Sequence, residues 1–248
     1  MSGHSKWATI KHKKAAADAR RGRAFTRLIK EITVAARHGG GDVESNPRLR
    51  TAVTAAKAEN MPAENIKRAI QRGTGELPGA VYEESVLEGY GPGGVAIMLE
   101  MATDNRNRSI SEIRHLFTRH GGNLGEAGCV SWMFQKRGYM IVPKGAATED
   151  VLLNVVLDAG AEDLRDDGSQ WEILTPPENF EPVVNALKQA GVETALAEVS
   201  MIPQSYVKLE GKNVQAMLKL VEALEEHDDV QHVYSNFDAE EKELQAVS

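Results

Sequence analysis

Between residues 137 and 200 the chain runs strand, helix, strand, strand, helix, strand, and few topologies accept that order. Alternating apolar stretches mark strands at 139–142, 161–165, 171–174 and 194–199, and helical periodicity marks 148–158 and 177–189. Asp166-Asp167-Gly168 supplies the tight turn between the two middle strands. The order predicts a ferredoxin-like α/β unit, and the flanking sequence predicts a second one around it. Strands at 86–90 and 95–101 are joined by Gly91-Pro92-Gly93-Gly94. A helix follows over 106–120, with Ile110, Ile113, Leu116 and Phe117 on one side and Ser109 and Glu112 at capping-box spacing. Gly128 to Phe134 reads as a buried strand. Past the inner unit come a strand at 205–209, a helix at 213–226 and a strand at 230–235. The elements of 95–134 and 205–235 together form another β-α-β-β-α-β set. The expected class is therefore α+β. A ferredoxin-like domain at 136–202 is inserted in a second one made of 79–135 and 203–240, and an acidic tail follows at 241–248.

Ahead of these lies a different pattern. Phe25, Leu28, Ile29, Ile32 and Ala36 recur at helical spacing across 18–37, and Gly39-Gly40-Gly41 ends that helix. Asn46-Pro47 starts a second, with Leu49, Ala52, Val53 and Ala56 inward. Asn60-Met61-Pro62 starts a third, with Ile66, Ala69 and Ile70 inward and Gly73 as its stop. Residues 1–78 thus predict a three-helix domain, closed by a linker from Gly75 to Gly79. Hydrophobic content of 42% with 26% charged residues is that of a globular chain, and aromatics at 5% leave its cores to Leu, Ile, Val and Ala.

Charge divides along the same boundary. Residues 1–75 hold 16 Lys and Arg against 6 Asp and Glu, or +10. The whole chain carries −7, so the remainder carries −17. The first 30 residues alone have nine basic side chains and one acid, Asp18. A basic head on an acidic body points to a polyanion at one end, and nucleic acid is the first candidate because Lys and Arg release counterions there. Lys6, Lys11, Lys13, Lys14, Arg20, Arg21, Arg23 and Arg27 are the candidate phosphate contacts, and Trp7, among His4 and His12, is a candidate base-stacking ring. Six such contacts on duplex DNA would give a log–log salt slope of roughly −5. The competing reading is a solvated arm that touches nothing specific.

Three further features carry weaker signals. The second and third helices form either a helix-turn-helix presenting Lys67, Arg68 and Arg72 or a plain bundle. Arg106 and Arg108, where a strand gives way to a helix, serve either an anion or ordinary capping. Gly89-Tyr-Gly-Pro-Gly-Gly94 leads into a strand, so it reads as a hairpin turn and not a phosphate loop. No catalytic constellation emerges, and no cofactor, metal or small-molecule substrate is implied. Cys129, the single cysteine, lies in an apolar run and reads as a core residue, while Asp228-Asp229 reads as a turn.

The opening Met1-Ser-Gly-His-Ser-Lys-Trp7, with Ile10-Lys-His-Lys-Lys14 and Arg20-Arg-Gly-Arg-Ala-Phe25, resembles the YebC/PmpR family. So do Asn46-Pro-Arg-Leu-Arg50, Asn60-Met-Pro-Ala-Glu-Asn-Ile66, Glu88-Gly-Tyr-Gly-Pro-Gly-Gly94, Thr103-Asp-Asn-Arg-Asn-Arg108 and Gly121-Gly-Asn-Leu-Gly125. The resemblance spans nearly the whole chain. It implies a helical domain followed by two α/β domains, one inserted in the other, in a cytoplasmic, non-enzymatic, DNA-binding regulator of transcription. Some members look instead like ribosome-associated factors that relieve stalling at proline stretches by contacting ribosomal RNA. Mitochondrial relatives are translational activators of cytochrome oxidase. The expectation is a chain that binds DNA or ribosomal RNA by its N-terminal domain, with the ribosome as a further candidate partner and no membrane partner.

Overall fold

The computed structural model describes residues 17–168 and 170–246. Within them the chain forms two compact units, one of 17–130 with Gly211–Val233 and one of Ser131–Glu210 with 234–246.

The first unit opens with three helices, α1 (Ala17–Gly39), α2 (Pro47–Ala58) and α3 (Ala63–Thr74). Asn46 caps α2 by accepting from the Leu49 N–H at 3.1 Å, and Pro47 occupies the first helical position, where a missing N–H costs nothing. α2 and α3 both pack on α1 and touch each other little. Ile32, Ala36, Leu49, Ala52, Ala56, Met61 and Ala69 close the core. Gly73 does not stop α3; Gly75, left-handed at φ 83°, does. Gly73 instead marks a crossing with α1, since a Cβ there would stand 2.4 Å from the Thr33 carbonyl oxygen and 2.7 Å from the Ala36 Cβ.

The same unit then builds a sheet from β1 (Glu83–Tyr90), β2 (Ala96–Thr103), β3 (Asn123–Leu124) and β9 (Val230–Ser235), in the order β3-β1-β2-β9. Its helices are α4 (Arg106–Arg119) and α7 (Lys212–Glu226), which pack side by side, with Ile113, Phe117, Met217, Leu220 and Leu224 fully buried. The strand set differs from the expected one. The hairpin partner β1 is an interior strand. Residues 128–133 form turns and a short 3-10 helix, with no strand. Gly128 is left-handed at φ 87°, and the Glu88 carboxylate takes the Gly128 and Val130 N–H groups at 2.7 Å each, leaving them none to give a ladder.

The second unit contains β4 (Phe134–Pro143), α5 (Glu149–Asp158), β5 (Asp163–Asp166), β6 (Gln170–Thr175), α6 (Phe180–Gln189) and β7 (Leu196–Pro203). Sheet order is β5-β6-β4-β7 with every pairing antiparallel, as the ferredoxin-like expectation requires. One face carries Met140, Val142, Trp171 and Ile173 against Leu152, Val156, Val183 and Leu187 of the helices. Entry and exit meet: Phe134 pairs with Pro203, and the Gln204 N–H donates to the Met133 carbonyl at 2.9 Å. The strand expected at 205–209 shrinks to β8 (Val207–Lys208), which pairs in parallel with β10 (Phe237–Asp238) and joins neither larger sheet. The chain closes with α8 (Glu241–Ala246).

Candidate nucleic-acid interface

The basic residues of the front segment fall into three groups. Lys6, Trp7, Lys11, Lys13 and Lys14 lie outside the described residues. Arg20 and Arg21 lie on α1. The rest divide into cations that the fold consumes and cations that it leaves exposed.

Consumption is heaviest around Asp229. This carboxylate, in the turn before β9, has a side chain only 5% exposed. It accepts from Lys30 Nζ at 2.5 Å, Ser109 Oγ at 2.6 Å, Arg108 Nη2 at 3.0 Å and Thr103 Oγ1 at 3.1 Å. Lys30 Nζ also donates to the Asp228 carbonyl at 2.8 Å. Burial pushes the Asp229 carboxyl up, but hydrogen bonds from Lys30, Ser109 and Arg108 outweigh it and hold the group well below the usual carboxylate range. The cluster ties α1 to β2, α4 and the turn before β9. Ser109 is therefore a buried member of it and not a cap; Asn105 caps α4 by accepting from the Arg108 N–H at 3.1 Å.

Arg48 is spent likewise. Its guanidinium forks to Glu31 at 2.7 and 2.9 Å and to Glu84 at 3.1 and 2.6 Å. Arg23 pairs with Glu226 at 3.0 Å, and Arg68 with Glu64 at 3.2 Å on one exposed helix face. Arg27 is half-buried and its Nε has no hydrogen-bond partner; burial lowers the guanidinium's pKa while Glu225 opposes. Arg108 is divided between Asp104 and Asp229 at 3.0 Å each. The Arg108 side chain is thus held by carboxylates, and the capping at this helix start is done by Asn105. Arg106 stays exposed at the start of α4 with no ion pair among the described residues.

Arg50 is exposed and in no ion pair among the described residues, but its guanidinium donates to the Val43 and Glu44 carbonyls. What remains on the helical bundle is Arg37, Lys57, Lys67 and Arg72, all exposed and in no ion pair among the described residues. Sequence reasoning named Lys67 and Arg72 and missed Arg37 and Lys57, which stand alone in runs of alanine and small polar residues. Asp229 was missed because its partners are 120 to 199 residues away. Cys129 is only partly buried, sits in a turn, and accepts through its carbonyl from the Tyr90 hydroxyl at 3.0 Å. Burial and Glu88 push its thiol up, away from a reactive thiolate. No helix among the described residues is long and apolar enough to cross a membrane.

Residues 5–76 match the TACO1/YebC protein N-terminal domain, and residues 82–237 match the TACO1/YebC second and third domain. The chain belongs to the TACO1/YebC family. Among TACO1/YebC relatives, a probable transcriptional regulatory protein of Koribacter versatilis is 64% identical over 248 residues, all of both chains. One of the same name from Acidobacterium capsulatum is 64% identical over 98% of each. The crystal structure of a conserved hypothetical protein, Aq1575, from Aquifex aeolicus aligns with a TM-score of 0.79 at 49% identity, covering 90% of this chain and 92% of that one. The two TACO1/YebC matches leave out residues 77–81, where the chain passes from α3 to β1.

Proposed function

We propose that this TACO1/YebC chain is a regulatory protein that binds nucleic acid through its basic N-terminal domain and acts as a DNA-binding regulator of transcription. The observation that carries the reading is the cation surplus of residues 1–75, of which Arg37, Lys57, Lys67 and Arg72 stay exposed and unpaired after folding. The relatives' name supports a regulatory role. The acidic remainder repels a polyanion, so one end of the sequence supplies the grip. Phosphate contacts fix position without reading sequence, and they serve ribosomal RNA as readily as DNA.

The test is anisotropy titration of the full chain against duplex DNA and ribosomal RNA fragments at several salt concentrations. A regulator of transcription prefers one duplex over random DNA by about a thousandfold or more. Tighter binding to ribosomal RNA than to any duplex, with co-sedimentation on ribosomes, transfers the function to translation. Absence of salt-dependent binding to both polymers ends the proposal.

A further inference from the structure

A groove of about 370 Å³ opens where α3 hands over to the segment leading to β1. α1 contributes Thr33 and Arg37, α3 contributes Arg72, and the connecting segment closes it as far as Tyr82. Its volume lies at the lower end of the range for small-ligand sites. Arg37 and Arg72 are among its lining residues and no Asp or Glu is, although Asp104 and Asp229 act on Tyr82 at one end. Neither arginine is in an ion pair among the described residues.

Both arginines stand in the last turn of a helix, where a cation can simply serve the free carbonyls. Here backbone groups already take that role. The Gly40 N–H donates to the Ala36 carbonyl at 2.9 Å, the Leu77 N–H to Gln71 at 3.1 Å and the Gly75 N–H to Arg72 at 3.3 Å. The guanidinium groups are left with charge and donors to spare. Arg72 is also held in place. The segment passes so close at Gly79 that an added Cβ would meet the Arg72 Cγ and Cδ at 3.0 Å. At the far end, Tyr82 has Lys30 Nζ 5.5 Å from its ring centroid, and its hydroxyl makes no hydrogen bond among the described residues. Burial, with Asp104 and Asp229 against the opposing Arg72, raises the phenol's pKa, so the hydroxyl stays a donor.

We propose that this groove is a phosphate site that holds one phosphodiester of a bound nucleic-acid strand between Arg37 and Arg72, with the Tyr82 hydroxyl as a further donor. The proposal rests on the reading that the N-terminal domain binds nucleic acid. Forked guanidinium donors suit a phosphate better than point charges do, and two arginines in a wall that contains no Asp or Glu favour an anion as the group that completes it.

The experiment compares the full chain with R37A/R72A, with G79V, and with R119A/K219A, which removes two exposed charges elsewhere in the same unit. Binding to duplex DNA and a ribosomal RNA fragment is followed across salt, and circular dichroism checks folding. R37A/R72A should weaken the binding of the preferred polymer at least about tenfold and flatten its log–log salt slope by about one, while R119A/K219A leaves both unchanged. G79V keeps both charges but displaces the Arg72 stem, and should weaken binding in the same direction. Wild-type affinity and slope in R37A/R72A would overturn the groove and leave the broader reading standing. No salt-dependent binding by the wild type would remove the broader reading itself. Adenosine 5′-monophosphate, titrated while arginine side-chain resonances are followed, separates the two sources of phosphate. Saturable shifts at Arg37 and Arg72, with polymer binding indifferent to their removal, would assign the groove to a free monoester and overturn the phosphodiester.

Discussion

The ammonium of Lys30 lies 2.5 Å from the carboxylate of Asp229, 199 residues further along the chain, and both side chains are less than a tenth exposed. Removing one partner leaves a buried charge without compensation. Lys30→Met should destabilise the protein by about 3–5 kcal/mol, read as a lower midpoint in urea. K30M/D229N should recover part of that loss, because neither buried charge survives.

The same carboxylate sets an acid limit. Its folded pKa lies below the unfolded value, so the unfolded chain binds the proton first and stability rises with pH between the two. The contribution is whole above roughly pH 5 and drains away as pH falls through and below the ordinary carboxylate value near 4. Glu84, lowered chiefly by its hydrogen bonds from Arg48, acts in the same sense. Urea titrations from pH 7 to pH 3 should give a shallower acid slope for Asp229→Asn than for the wild type.

Gly73→Ala would ordinarily stabilise a helix interior by about 1 kcal/mol. Here the new methyl meets the Thr33 carbonyl and the Ala36 Cβ, which are not flexible side-chain ends. The substitution should instead cost about 1–3 kcal/mol. A rise in thermal midpoint would show that α1 and α3 are free to separate.

Glu88→Ala orphans the buried Val130 N–H, at about 1–3 kcal/mol, and releases the N–H of the exposed Gly128 to water. Hydrogen exchange should accelerate at those two amides first. Uniform acceleration across the unit would argue against a local role.

Arg106 and Arg108 separate charge from structure. Arg106→Ala should reduce the salt slope of nucleic-acid binding by about one and leave stability unchanged. Arg108→Ala should lower stability, because Asp229 loses a donor, and leave the slope alone. The reverse pattern would show that Arg108 leaves its carboxylates to meet phosphate.

Much of the fold was legible because it is written locally. The Asn46-Pro47 cap, the stripe from Phe25 to Ala36 and the turn at Asp166-Asp167-Gly168 each announce themselves within a few residues, and the inner sheet follows from their order. Two of the misreadings share one cause. Gly128 to Phe134 is as apolar as a strand, but a side chain forty residues earlier claims its N–H groups. Ser109 has a cap's spacing, but its hydroxyl is drawn to a carboxylate 120 residues later. The candidate interface was legible as a count of cations and not as an address. Lys30 and Arg48 count towards the surplus, yet the acids that hold them include Asp229 and Glu84, outside the basic segment.

The meeting of Phe134 with Pro203 means that the inner sheet, a guest with the rest of the chain as host, begins and ends at a single doorway. To the host, the whole excursion costs little more loop-closure entropy than a short turn would, because the guest clamps its own two ends. Evolution or an engineer could therefore exchange the guest for another cargo, or splice 132 to 205 with a few residues, without re-threading the strands on either side.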